Sequence, residues 1–179
     1  MTQITLAVTG SISAYKAADI TSQLTKLGFE VKVLMTPAAR KFITPLTLQV
    51  LSKNQVGLDV MIEDDPQRIE HIDIGKETDL FLVAPASANT IAKLAMGLAD
   101  NMVTSTALAL PQTTKKLLAP AMNTKMLEHP ATQRNLKLLQ DYGYQIIQPR
   151  EALLACGDKG SGALASVETI LETVKENCL

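Results

Sequence analysis

The segment ITLAVTGS at residues 4–11 is an apolar run of strand length that stops at a turn of small residues. Three further apolar runs end in the same way, each followed by a residue of the kind that caps helices. The four turns are Val8-Thr9-Gly10-Ser11, Leu34-Met35-Thr36-Pro37, Ala84-Pro85-Ala86-Ser87 and Ala119-Pro120-Ala121-Met122-Asn123. Strands that lead into helices through such turns predict right-handed βαβ units.

Strand-length and helix-length segments alternate along the chain. The predicted strands are Ile4–Thr9, Glu30–Met35, Asp79–Ala84, Lys116–Pro120 and Gln145–Gln148. The predicted helices are Ala14–Leu27, Thr44–Ser52, Thr90–Met96, Met102–Leu110, Pro130–Tyr142 and Val167–Asn177. Several strands are apolar on both faces, as in a buried parallel sheet. We therefore expect one α/β domain with three α/β/α layers, a doubly wound parallel sheet of the Rossmann-like or flavodoxin-like type.

Two stretches interrupt this alternation. Glu63–Glu77 is acidic and Pro149–Ala165 is rich in glycine, and we expect both to be irregular loops. Gly28 and Gly143 stand where glycines end helices. Asp100 and Asn101 precede a predicted helix and are either caps or site residues, whereas His129 is expected to begin a surface helix.

Composition excludes several classes of partner. The 179 residues carry a net charge of −1, so nothing favours nucleic acid or a membrane surface. Cys156 and Cys178 have no metal-ligand spacing, and we expect reduced thiols, no bound metal and a cytoplasmic protein. The low aromatic content, with no tryptophan, disfavours a flavodoxin-type electron carrier.

The carboxyl ends of parallel strands meet at one edge of a sheet, so the four turns should lie together there. Free N–H groups and helix N-termini at that edge favour anions. Small residues at Gly10, Ala86 and Ala121 leave room for a flat ring. Neither a G-x-G-x-x-G fingerprint nor a Walker loop is present. The sequence therefore predicts a site for a phosphate-bearing mononucleotide such as FMN.

Four segments of the sequence carry a more specific functional signal than the helix-capping residues do. PASANT at residues 85–90 and PAMNTKM at 120–126 resemble the two signatures of the homo-oligomeric flavin-containing cysteine decarboxylases. ACGDKGSGA at 155–163 resembles the substrate-clamp loop of one branch, and TGSISAYK at 9–16 resembles the family's first turn. Leu127 replaces the tryptophan that usually closes the second signature, and Leu164 stands where relatives often carry methionine.

The resemblance implies an activity and an assembly. The activity is FMN-dependent decarboxylation of 4′-phospho-N-pantothenoylcysteine to 4′-phosphopantetheine in coenzyme A biosynthesis. It proceeds through oxidation of the thiol to a thioaldehyde, loss of CO2 and re-reduction. The assembly is a trimer, or a dodecamer built from trimers, with active sites between subunits. We expect residues 1–179 to form one decarboxylase domain without a fused synthetase.

The resemblance also assigns site residues. His71 is expected to act as base at the substrate thiol, Asn123 to bind the substrate carboxylate, and Cys156 to donate a proton during the final reduction. The expected FMN-binding residues are Gly10, Ser11, Ser13, Thr36, Ser87, Asn89, Thr90 and Ala121. The expected substrate-binding residues are Asn123, Met122, Ala155, Gly157, Asp158, Lys159 and Gly160.

Related activities stay open at this point. A peptidyl-cysteine decarboxylase would share the fold, FMN, His71 and Asn123, but the segment around Cys156 favours the small phosphorylated substrate. A flavin prenyltransferase is not expected to carry the same three residues. A non-catalytic flavin-binding regulatory subunit is disfavoured because all three are retained.

Overall fold

The computed structural model describes residues 1–63, 65–155, 157 and 159–178. Its centre is a five-stranded parallel sheet in the order β2-β1-β3-β4-β5. The strands are β1 (Gln3–Val8), β2 (Glu30–Met35), β3 (Leu80–Ala86), β4 (Lys115–Pro120) and β5 (Tyr144–Ile146). This order is the flavodoxin-like one, in which a crevice forms where the chain reverses its direction of winding, between β1 and β3.

Helices cover both faces of the sheet. They are α1 (Ala17–Lys26), α2 (Pro45–Ser52), α3 (Glu70–Glu77), α4 (Ala88–Met96), α5 (Met102–Leu108), α6 (Thr124–Glu128), α7 (Pro130–Asp141) and α8 (Val167–Cys178). The residues of α1, α2 and α8 pack on one face, and those of α3 to α7 on the other. The predicted three-layer α/β/α class is therefore confirmed. No helix in the described residues is both long and apolar enough to cross a bilayer.

The core is aliphatic and divided by the sheet into two clusters. Leu6 and Leu82 face the cluster that contains α1 and α8, whereas Phe81 and Val83 face the opposite one. All four side chains are fully buried, which explains why β1 and β3 are almost continuously apolar. Burying one such side chain stabilises the fold by about 1.5–3 kcal/mol. Truncating Leu82 to alanine would therefore remove a large part of a domain's small net stability.

The expectation of an irregular loop over Glu63–Glu77 was wrong, because its second half is helix α3. Tertiary hydrogen bonds fix this short charged helix. The Thr78 hydroxyl donates to the carbonyl of Ile74 at 2.6 Å and lies 2.7 Å from the Thr5 hydroxyl of β1. Since Thr78 has one hydroxyl hydrogen, Thr5 is the donor in the second bond. The end of α3 is thereby tied to the centre of the sheet.

The expectation of an irregular loop over Pro149–Ala165 was also wrong. It contains an antiparallel hairpin of β6 (Arg150–Leu153) and β7 (Lys159–Ala163). The first predicted helix begins instead as a 3-10 turn over Ile12–Lys16 and continues as α1. Gly28 and Gly143, both at φ +88°, follow α1 and α7 as predicted.

The outer edge of β2 is covered by a loop rather than by another strand. The side-chain amide of Asn54 donates to the Val31 carbonyl at 3.1 Å. The backbone N–H of Gly57 donates to the Val33 carbonyl at 2.9 Å, and its carbonyl accepts from the N–H of Met35 at 3.0 Å. Backbone groups that an edge strand would expose are therefore bonded within the chain.

Candidate functional site

A cavity of about 470 Å³ opens at the carboxyl edge of the sheet. Three of the four predicted turns line it, those after β1, β3 and β4. Residues of the hairpin close its remaining side. The fourth turn, after β2, does not reach the cavity, although Phe42 from just beyond it does. The sequence thus correctly predicted that turns from separate strands meet at one edge.

The turn after β1 begins the cavity wall. Ser11 caps the 3-10 turn, its hydroxyl accepting from the backbone N–H of Ser13 at 3.3 Å. A Cβ added to Gly10 would lie only 2.5 Å from the Cβ of Ala38, so the turns after β1 and β2 are in close contact. Thr36 is buried and outside the lining, where its hydroxyl accepts from the N–H of Ala39 at 3.3 Å. It therefore supports the neighbouring turn from behind.

A buried hydroxyl joins the turns after β1 and β3. Thr9 donates to the Pro85 carbonyl at 2.6 Å and accepts from the N–H of Ser87 at 2.9 Å. Sequence analysis did not assign Thr9 to the site, although its position at the end of the first strand was a usable signal. The Thr9 hydroxyl fixes the relative position of two cavity walls.

Ser87 lines the cavity and caps α4, its hydroxyl accepting from the N–H of Thr90 at 3.3 Å. Thr90 is buried and Asn89 is exposed, and neither belongs to the lining. The capping role of Ser87 is as expected, but the helix begins at Ala88, earlier than the predicted Thr90. Within this turn, only Ser87 and Ala88 face the cavity.

The turn after β4 carries Met122 and Asn123, which both line the cavity. Asn123 caps α6, its side-chain oxygen accepting from the N–H of Lys125 at 2.9 Å. This bond fixes which end of the amide faces its own helix. Ala121, 3% exposed, offers a small side chain where a flat group could approach the backbone.

The hairpin is fastened to this same turn. The Met122 N–H donates to the Gly162 carbonyl at 2.9 Å, and the Thr124 hydroxyl donates to the Ser161 carbonyl at 2.7 Å. Gly162 has φ +134°, and a Cβ there would lie 2.2 Å from the Met122 carbonyl oxygen. A Cβ on Gly160 would lie 2.5 Å from the Thr124 hydroxyl. Glycine is therefore required for the hairpin to dock.

The predicted substrate-binding residues of the hairpin divide into three groups. Ala155 lines the cavity. Gly157, Lys159 and Gly160 lie outside the lining. Cys156 and Asp158 fall outside the described residues.

The structure does not bring His71 into the cavity of its own chain. It lies in the first turn of α3, and it is absent from the lining. Its Nδ1 atom is buried and has no hydrogen-bond partner among the described residues. The predicted catalytic group is thus only partly assembled within one chain.

Of the two residues that sequence analysis left open between cap and site, one caps a helix and the other forms an ion pair. Asn101 forms a reciprocal capping box with Thr104 at the start of α5. Asp100 forms an ion pair with Lys93, and this hydrogen bond lowers the pKa of the Asp100 carboxyl. His129 caps α7, with Nδ1 accepting from the N–H of Ala131 at 3.1 Å. None of these residues lines the cavity.

Charge in the cavity wall is one-sided. Among the described lining residues, Lys16 and Arg150 are cationic and none is an aspartate or glutamate. The charge of Lys16 also reaches Glu168, whose pKa is lowered by its own backbone N–H, then by the Ser166 hydroxyl and by Lys16. Capping hydroxyls, helix starts and two cations in one concave surface fit an anion.

These features define the class of protein. The cavity at the carboxyl edge of this open parallel sheet is lined by small residues, hydroxyl groups and two cations. These are the features of a site for a nucleotide-type cofactor. The flavoprotein family model matches residues 1–179, and the chain belongs to that family.

Two relatives are named for more specific activities than the flavoprotein family is. The chain is 64% identical over 174 residues to a probable phosphopantothenoylcysteine decarboxylase from Streptococcus mutans serotype c, covering 97% of each chain. It is 45% identical to a coenzyme A biosynthesis bifunctional protein from Bacillus subtilis, covering 97% of this chain but 42% of that longer protein.

Solved structures agree with these relatives. A mutant PPC decarboxylase complexed with pantothenoylaminoethenethiol superposes with a TM-score of 0.90 at 32% identity, covering 98% of this chain and 97% of the other. The FMN-dependent cysteine decarboxylase SpaF superposes with a TM-score of 0.86 at 27% identity, covering 100% and 98%. The resemblance to flavin-containing cysteine decarboxylases is therefore confirmed.

Proposed function

We propose that this chain is an FMN-dependent carboxy-lyase that converts 4′-phospho-N-pantothenoylcysteine to 4′-phosphopantetheine and CO2 in coenzyme A biosynthesis. The observation that carries this assignment is the meeting of both signature turns and the hairpin around one cationic cavity. The 64% identity to a relative named for the same reaction supports it.

FMN fits the carboxyl edge of the sheet. The residues that would hold it are those that line the cavity, Gly10, Ser11, Ser13, Ser87 and Ala121. Asn89 is exposed outside the lining and does not support its expected contact with FMN. Ser11 and Ser87 lie at helix starts, where hydroxyls and free N–H groups suit a phosphate. Thr36 and Thr90 act from behind, by holding the turns in place. The small Ala121 allows a flat ring to lie against the backbone.

Decarboxylation needs a group in the substrate that can hold the electron pair left behind when CO2 departs. A cysteine carboxylate does not leave readily, because its electron pair would remain on an ordinary carbon. When bound, the flavin accepts two electrons and later returns them. Loss of the thiol proton and of a hydride equivalent from the adjacent carbon gives a thioaldehyde. Its C=S group takes up the electron pair when CO2 departs. Protonation on carbon, return of the hydride to the C=S carbon and return of a proton to sulfur then give the product thiol.

Three side chains direct these steps. His71 takes the thiol proton, since histidine is the side chain that most often serves as a general base. Asn123 donates from its amide to the substrate carboxylate, and its bond to the Lys125 N–H supports that orientation. Cys156 gives the proton needed on carbon before the final reduction, a role carried by the family resemblance.

Self-association would complete the site. His71 lies outside the cavity of its own chain, and its buried Nδ1 has no partner among the described residues. A histidine that takes a proton at Nε2 needs an acceptor for the proton on Nδ1. We expect a second copy of the chain to supply the complementary cavity, within a trimer or a dodecamer built from trimers.

The test uses the purified chain reconstituted with FMN. Visible absorbance should show bound flavin, and CO2 should be released from 4′-phospho-N-pantothenoylcysteine but not from a cysteine-terminated peptide. His71→Asn should abolish CO2 release with FMN still bound. His129→Asn is the matched control, because it changes the other histidine at a helix cap away from the cavity.

Two outcomes would overturn the assignment. A preparation that never takes up flavin would exclude the flavoenzyme mechanism. Release of CO2 from the peptide alone would instead identify a peptidyl-cysteine decarboxylase.

A further inference from the structure

We infer that Arg150 recognises the phosphate of the substrate and thereby selects phosphorylated over unphosphorylated pantothenoylcysteine. This inference rests on the proposed function and adds a specificity residue to it. Arg150 is the first residue of β6 and lines the cavity.

The guanidinium is held but not neutralised. Its Nε donates to the carbonyl of Leu164 at 3.0 Å. Among the described residues, no carboxylate lies within ion-pair distance of Arg150. The two terminal nitrogens carry four further N–H donors in a planar arrangement, which matches two oxygens of a phosphate. Such bidentate pairs are stronger and more specific than a lysine contact.

Glu151 is the acidic residue in the described part of the hairpin, and it does not line the cavity, although its neighbours Arg150 and Ala152 do. The described lining therefore offers a dianion two cations and no opposing carboxylate. Lys16, the other cation, also helps to lower the pKa of the exposed Glu168 carboxyl, after the backbone N–H of Glu168 and the Ser166 hydroxyl.

The position suits the far end of the substrate. Arg150 is paired across the hairpin with Ala163, and the adjacent Gly162 is bonded to Met122 next to Asn123. Two such spacings separate the backbones of Arg150 and Met122 by about 10 Å. An extended pantothenoyl chain spans roughly 13 Å at the reach per bond of a polypeptide. A carboxylate bound at Asn123 therefore leaves the phosphate within reach of Arg150.

The experiment compares phosphorylated and unphosphorylated ligands with FMN-loaded protein. For wild type, Arg150→Gln, Arg150→Lys and the exposed control Arg134→Gln, kcat/KM is measured with both forms of pantothenoylcysteine at fixed ionic strength. Equilibrium binding of 4′-phosphopantetheine and pantetheine is measured in parallel. Arg150→Gln should weaken kcat/KM and binding for the phosphorylated ligands about 10- to 100-fold, mainly through KM. The unphosphorylated ligands should change less than about threefold, and Arg150→Lys should lie between.

The outcomes distinguish failure of the Arg150 inference from failure of the proposed function. Wild-type discrimination retained in Arg150→Gln overturns the inference and leaves the proposed function intact. A fall in FMN affinity of that variant, measured by flavin titration of the apoprotein, with discrimination retained, assigns the guanidinium to the cofactor phosphate and also overturns it. Loss of the same discrimination in Arg134→Gln would show that it depends on the overall charge of the protein and not on Arg150, which would also overturn the inference. Wild type that turns over neither substrate refutes the proposed function, whereas the binding measurements still test Arg150.

Discussion

Replacing Gly162 by alanine should release the hairpin from the turn after β4 without unfolding the domain. The added Cβ would lie 2.2 Å from the Met122 carbonyl oxygen, and the backbone stands at φ +134°. Backbone strain of this kind costs about 1–3 kcal/mol. Losing the bond between the Met122 N–H and the Gly162 carbonyl costs about 0.5–1.5 kcal/mol more. Docking should therefore weaken by about 1.5–4.5 kcal/mol in total.

The domain can avoid that penalty by letting the hairpin undock, because β6 and β7 are not part of the five-stranded sheet. Hydrogen exchange at the Met122 amide should accelerate roughly 10-fold or more, given about 1.36 kcal/mol per factor of ten. The KM for substrate should rise, while bound flavin and the melting temperature change little.

Gly28→Ala is the matched control. Gly28 also has a positive φ, +88°, but a Cβ there would meet nothing within 4 Å, and Gly28 lies outside the cavity lining. It therefore introduces backbone strain without the collision. Equal exchange rates and equal KM values for the two variants would refute the reasoning that close contact with Met122 fastens the hairpin.

Two further predictions concern buried hydroxyls. Thr78→Val leaves the Thr5 hydroxyl without its acceptor and the Ile74 carbonyl without its donor, so the free energy of unfolding measured in urea should fall by about 1–3 kcal/mol. Thr5→Val should lower the free energy of unfolding by less. A larger loss in Thr5→Val would contradict the assignment of Thr5 as the donor. Burial raises the pKa of Tyr144, so its neutral form is favoured in the fold, and its contribution to stability, complete below the unfolded pKa of about 10, is lost at higher pH. Urea denaturation above about pH 10 should show that the free energy of unfolding falls more steeply with pH in wild type than in Tyr144→Phe. Identical slopes would show that Tyr144 does not contribute to the loss of stability at high pH.

Strands and long helices could be predicted because local pattern and tertiary packing agree there. The strand Glu30–Met35 was predicted with its observed bounds, and Pro130–Tyr142 differs from α7 by one residue. Apolar runs between capping residues carry that information. The meeting of the turns followed from parallel topology alone.

The elements that could not be predicted are those that distant residues hold. Helix α3 has few apolar residues, and it depends on a hydrogen bond between Thr5 and Thr78, which lie far apart in sequence. The hairpin has little strand propensity, and its place is set by contacts of Gly162 and Ser161 with the turn after β4. Arg150 was missed for the same reason, because nothing local marks a residue before a glycine-rich stretch as a cavity wall.

The covered edge of β2 has a consequence for how copies of this chain can join. Asn54 and Gly57 occupy the positions that a strand from another molecule would need to extend the sheet. Open-ended polymerisation through strand addition is blocked on that side, which protects against fibril-like growth. Copies that associate on that side would therefore do so through side chains of helices and loops, and such contacts can close into finite rings.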